Sequence, residues 1–216
     1  MNMPADFNKI SPFYTLLEKM LFGDRLQAYR CNFLNHMREA ERVLLVGEGT
    51  GCFLRELLAT NSKVRITVVE ISKEMVVQAK SKVKFDDIKR VFFHQMPLSD
   101  FVSTESYDFI CTFFFWDCFE EKQIKSMLPD LVANLDSEGK LVNVDFAEPS
   151  YPYGNLHLLS FLLLRMLYGF FRLATGISAL SVVEIDGIAK QSNLEIENYA
   201  EDKIFPIKGQ LFRRII

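Results

Sequence analysis

The stretch 43–58, VLLVGEGTGCFLRELL, constrains this chain more than any other. Val43 to Val46 are apolar and β-branched at both ends, which predicts a short buried strand. Gly47, Gly49 and Gly51 follow at alternate positions, and then Phe53, Leu57 and Leu58 fall at helical spacing. Strand, glycine turn and helix in that order make a ligand cradle. Glycines let the backbone turn sharply and let a ligand approach without meeting a Cβ. The helix that follows offers free N–H groups in its first turn.

The spacing narrows the ligand. A dinucleotide cradle, G-x-G-x-x-G, requires glycine or alanine at position 52, and this chain has Cys52. No G-K-[ST] ending follows, which excludes a nucleoside triphosphate phosphate loop. The G-x-G-x-G form resembles the first motif of the Rossmann-like, class I S-adenosylmethionine-dependent methyltransferases. The next strand, 65–70 (RITVVE), ends in Glu70. In a nucleotide-type cradle a carboxylate there meets a ribose, because its two acceptor oxygens match two vicinal hydroxyls. Ser72 and Met75 lie in EISKEMV, which resembles the D-x-S-x-x-M segment of the same family. Met75 is then a packing residue beneath the adenosine or an ordinary helix–sheet contact.

The resemblance extends upstream. Residues 7–23, FNKISPFYTLLEKMLFG, are similar to the leader of the ubiquinone- and menaquinone-type methyltransferases, which places Tyr14 either in the cofactor site or as filler at the sheet edge. At two positions this chain departs from the family. An acid two residues before the first glycine is replaced by Leu45, and one after the third strand (90–95) gives way to Met96 and Pro97. Gln95 or Ser99 is the polar substitute near adenine, with Asp100 farther along the loop. Glu48, inside the glycine loop, either supplies negative charge near the cofactor's cationic end or projects from the surface.

The fourth strand, 107–114, opens with Tyr107-Asp108 and carries Thr112 towards the mouth of the site, a further candidate cofactor contact. Asp117 follows, either capping the next helix or facing the methyl-transfer site, and Phe115 and Trp116 are candidate walls for a sulfonium. Pro129 predicts a kink or break in the helix 120–135. Asp136-Ser-Glu-Gly139 reads as a turn, and the fifth strand, 140–146, delivers Asp145 to the same rim. Asp117, Asp145 and His157 are the candidate acid–base groups, none of which stands out.

Residues 155–175 are almost continuously apolar but interrupted by Arg165, Gly169 and Arg172, too broken for a membrane span. A lid over an apolar acceptor, a homodimer contact and a peripheral membrane contact all remain open. His157 within it is a base or a hydrogen-bonded structural histidine. A helix at 181–192 and strands at 194–199 and 208–216 complete the series. The alternation of strands and helices predicts an α/β fold, a doubly wound parallel sheet with helices on both faces, and the resemblance implies a mostly parallel seven-stranded sheet with the last strand antiparallel. A helical leader (1–40) and a helical cover (150–192) before strand six belong to the same single domain of 1–216.

A net charge of −3 and the lack of a long Lys/Arg run argue against a nucleic-acid partner. Cys31, Cys52, Cys111 and Cys118 are too scattered for a metal set, so no metal is expected, and reduced thiols suit a cytoplasmic location. The N-terminus lacks a basic end followed by an apolar run, so no signal peptide is expected. The resemblance implies S-adenosylmethionine as cofactor and a small, apolar or aromatic molecule as methyl acceptor. A non-catalytic S-adenosylmethionine-binding subunit or sensor and an aminopropyl transferase are the alternatives.

Overall fold

A computed structural model describes residues 22–147, 183–202 and 205–215. Strand β1 (Arg42–Val46) runs through the middle of the sheet, with Val43 to Val46 at most 1% exposed. It pairs in parallel with β2 (Arg65–Glu70) on one side and β4 (Tyr107–Phe113) on the other. Outside β2 lies β3 (Val91–Gln95), and outside β4 lies β5 (Leu135–Phe146), both parallel. The last strand, β7 (Ile207–Arg214), is antiparallel to β5 and to the edge strand β6 (Leu194–Glu201). The order is β3-β2-β1-β4-β5-β7-β6, a seven-stranded, mostly parallel sheet with the last strand antiparallel, as expected.

Strand alternation sorts the core into two layers. Val43 and Leu45 join Phe53, Leu54 and Leu57 of α2 (Cys52–Thr60) and Ala79 of α3 (Lys73–Ser81) on one face. The short helix α1 (Arg25–Cys31) adds Leu26 to that layer. Leu44 and Val46 pack on the other face with Ile124, Leu128 and Leu131 of α4 (Glu121–Ala133) and Ile188 of α5 (Asp186–Gln191). The chain winds from β1 out to β3, then returns to β4 on the opposite side. The carboxyl ends of β1 and β4 therefore flank a switch point, where open α/β sheets bind ligands.

Three local expectations change. Helix α4 runs unbroken through Pro129, because the proline and Lys125, whose carbonyl loses its partner, are both on the solvent face. Its amino end is closed by a capping box between Glu120 and Gln123, whose Oε1 accepts the Glu120 N–H at 2.9 Å, so Asp117 does not cap it. Residues 136–139 loop out of register within β5: Leu135 pairs with Tyr107 and Lys140 with Phe109. Arg214 holds the base of that loop, donating to the carbonyls of Val132, Leu135 and Asp136.

Tyr14, His157 and the segment 155–175 lie outside the described residues. Among those described, no helix is long and apolar enough to cross a membrane, and no group of three or more His, Cys, Asp or Glu could hold a metal ion.

Candidate functional site

Gly47, Gly49 and Gly51 all have positive φ, at 66°, 67° and 81°. A Cβ at Gly47 would fall 2.6 Å from Cδ2 of Phe115, and one at Gly51 would fall 2.7 Å from the Ala79 Cα of α3. Contact and dihedral thus both demand glycine at these two positions. The neighbour of Gly49 is the Met75 sulfur, 3.7 Å from an ideal Cβ. Met75 therefore lies against the loop itself.

Glu70 fastens this loop to β2. Its Oε2 accepts the Gly49 N–H at 3.0 Å and its Oε1 accepts the Ser72 N–H at 2.8 Å. Burial pushes its pKa up, against the pull of the backbone donors that favour the carboxylate. The Ile71 backbone is a third such donor, and the roughly four acceptor sites of a carboxylate exceed these three. The Ser72 hydroxyl caps α3 by accepting the Met75 N–H at 3.2 Å. Gln95 stands opposite Glu70 in the β2–β3 register, exposed at the same end of the sheet.

Two residues expected at the cofactor turn elsewhere. Glu48 folds inward, and its Oε1 accepts the Leu54 N–H at 2.8 Å in the first turn of α2, an orphan donor at a helix start. Burial raises its pKa to about 7, and among the described residues its Oε2 has no hydrogen-bond partner. Thr112 has no exposed surface. It points into the α4 face of the sheet, where its hydroxyl accepts the Trp116 indole N–H at 3.2 Å and donates to Asn143 Oδ1 at 2.9 Å. Both are internal ties, because the loop turns one side chain under the helix and strand alternation turns the other into the core.

The opposite wall is the exit from β4. Phe114 adopts φ 51°, an uncommon conformation for a bulky side chain, and the chain reverses there. Phe115 is thereby laid against Gly47, and a short 3-10 turn, Trp116–Cys118, follows. Asp145, at the end of β5, anchors this turn. Its Oδ2 accepts the N–H groups of Trp116 at 3.0 Å and Asp117 at 3.2 Å, and its Oδ1 accepts that of Phe146 at 2.9 Å. The Asp117 carboxylate lies beside it and accepts the Cys118 thiol at 3.4 Å. Burial pushes both carboxyls up, and Asp145 rises further because Asp117 is near. Cys118 feels Asp117, Asp145 and also Glu70, so the three carboxylates gather at one end of the sheet. The sequence brought Gly47, Gly49, Gly51, Glu70, Met75, Phe115, Asp117 and Asp145 into view. It missed the contact between Phe115 and Gly47, for which it carries no local signal.

Residues 43–139 match the family model described as a methyltransferase domain. No curated protein matches the sequence. Among solved structures, the mitomycin 7-O-methyltransferase MmcR superposes with a TM-score of 0.69 at 14% identity, over 97% of this chain and 60% of that one. The magnesium protoporphyrin IX methyltransferase (ChlM) of Synechocystis PCC 6803, solved with bound SAH, gives 0.65 at 15%, over 94% of this chain and 87% of that one. The 1,6-didemethyltoxoflavin-N1-methyltransferase of Burkholderia thailandensis, solved with 1,6-didemethyltoxoflavin and S-adenosylhomocysteine, gives 0.66 at 13%, over 96% and 85%. At such identities the likeness is one of fold. The chain resembles the class I, Rossmann-like S-adenosylmethionine-dependent methyltransferases, by sequence over residues 43–139 and by fold over most of its length.

Proposed function

We propose that this protein is an S-adenosylmethionine-dependent methyltransferase acting on a small, apolar or aromatic molecule. The observation that carries the reading is Glu70 fastened to Gly49 beside the switch point of the sheet. It sets a carboxylate with remaining acceptor capacity for a ribose hydroxyl next to a loop that a ligand can approach closely. Once bound, the cofactor supplies a methyl group already activated on a sulfonium. The chain's own residues then align and exclude water. Gly47, Gly49 and Met75 form one wall, Phe115 the other, and an aromatic face interacts favourably with a cation. Asp117, two residues beyond Phe115, is the group we assign to the acceptor, since a raised pKa suits a group that takes a proton from a hydroxyl or an amine.

The apolar character of the acceptor is supported by the composition of residues 155–175 and by Phe114 and Phe119, partly buried near the rim. The test is calorimetry with S-adenosylmethionine, S-adenosylhomocysteine and NAD, then a mass-shift screen of cell metabolites for methylated products. S-adenosylhomocysteine should bind and NAD should not. Stronger binding of NAD would overturn the cofactor assignment, and cofactor binding with no methylated product would favour a non-catalytic subunit or sensor.

A further inference from the structure

Three adjacent strands each place a polar side chain at one level of the same buried face. Thr112 of β4 is opposite Asn143 of β5, which is opposite Gln210 of β7. They are 0%, 3% and 3% exposed, in a layer otherwise built from Ile110, Leu141, Phe212 and the apolar side of α4. Apolar residues would fill such a row without the cost of desolvating amides and a hydroxyl. The row is fully connected and extends at both ends. The Trp116 indole donates to Thr112 at 3.2 Å and Thr112 donates to Asn143 at 2.9 Å. The Asn143 amide donates to Gln210 at 3.5 Å, and the Gln210 amide donates to Asp186, the first residue of α5, at 2.5 Å. Lys208 holds the other oxygen of Asp186 at 2.9 Å.

The direction of this chain is forced by its ends. An indole N–H can only donate and an ionised carboxylate can only accept, so every bond between them must run from Trp116 to Asp186. That fixes both amide orientations, and bonds aligned in one sense polarise one another. At the Trp116 end the bond to Thr112 closes a reversal that contains Phe114 with its positive φ. Strain of that kind persists only where surrounding contacts over-determine it. Phe115, against Gly47, and Asp117, beside Asp145, flank the tryptophan held in this way.

We infer that Thr112, Asn143 and Gln210 are positioning residues, anchored on Asp186, that hold the turn 114–118 in its cofactor-facing form from within the sheet. The inference rests on the reading of the glycine loop as the cofactor cradle. Gln210 is two strands from β4, so its effect on the turn is transmitted through the chain of bonds.

Trp116 is the single tryptophan of the protein, so its emission reports on this turn alone. Thr112→Val keeps side-chain shape and removes the hydroxyl. It should weaken S-adenosylhomocysteine binding at least fivefold and make Trp116 more accessible to acrylamide quenching. Thr112→Ser should restore both. Gln210→Met should reproduce the two effects at smaller amplitude, and it carries the test if Thr112→Val does not fold. A lower Tm with unchanged quenching and unchanged affinity would make the row a packing feature and overturn the inference. If the wild-type protein binds no S-adenosylhomocysteine, the proposed function fails instead. Quenching then still decides the positioning role, and an equally shielded Trp116 in both variants rejects it.

Discussion

Phe115 occupies the place where a side chain on Gly47 would lie, its Cδ2 2.6 Å from an ideal Cβ. The first glycine of the loop is thus required by a residue from β4 as well as by its own dihedral. Gly47→Ala should push the ring out of position and, with a left-handed residue, cost about 1–2 kcal/mol of stability. Cofactor affinity should fall and recover partly in Gly47→Ala with Phe115→Ala. Gly51→Ala should lower Tm further, since its new methyl meets the Ala79 backbone at 2.7 Å, where nothing can swing aside. Equal Tm values for the two alanine variants would contradict this ranking.

Glu70 is the second point of control. Glu70→Ala leaves the N–H groups of Gly49 and Ser72 without their acceptor, and hydrogen bonds to a charged group contribute about 1.5–3 kcal/mol each. Water recovers part of that. The expected result is at least a tenfold loss of S-adenosylhomocysteine affinity with the fold retained, read by calorimetry and circular dichroism. An unchanged dissociation constant would remove Glu70 from the ligand contacts.

These two positions were legible in the sequence for a physical reason. A G-x-G-x-G loop and an acid ending the next strand constrain the backbone directly, strand alternation marks the strands, and the antiparallel last strand follows from the family resemblance. Side-chain direction was harder to read. Glu48 could be placed in the loop, but not under it, capping α2. Thr112 lies near the end of a strand apolar on both faces, so alternation sets its face without showing that its hydroxyl is tied to Asn143 and Trp116. The capping box of α4 was written as Glu120 and Gln123, yet Asp117 is the better cap former and drew the reading instead. The reversal at Phe114 has no sequence signature, because phenylalanine rarely takes a positive φ.

Asp117 and Asp145 make a buried carboxyl pair, and no ion pair with Lys or Arg neutralises either among the described residues. Both titrate higher in the folded protein than in the unfolded chain. Their contribution to stability is therefore full at low pH and is lost as pH rises through the folded-state values. Asp117→Asn removes one partner and should raise Tm at pH 8, with the gain shrinking towards pH 4. If Asp117 also takes the acceptor's proton, methyl transfer falls in the same variant, the usual exchange of stability against function. A variant less stable than wild type at pH 8 would show that the Asp117 charge is compensated.

Glu48 makes the same linkage argument at a site away from the proposed chemistry. Its pKa is about 7 in the folded protein, raised by burial from 4.5, and among the described residues only one of its oxygens is bonded. Because the folded state holds the proton more tightly, stability is favoured below about pH 4.5 and declines as pH rises to 7. At 1.36 kcal/mol per pH unit the decline amounts to at most about 3 kcal/mol. Glu48→Gln keeps a carbonyl oxygen for the Leu54 N–H and has no charge to desolvate. Relative to wild type, it should gain stability steadily from pH 5 to pH 8, by denaturant unfolding at each pH. Parallel pH profiles for the two proteins would mean that Glu48 is ionised and solvated in the native state, and that the inward cap is not its resting conformation.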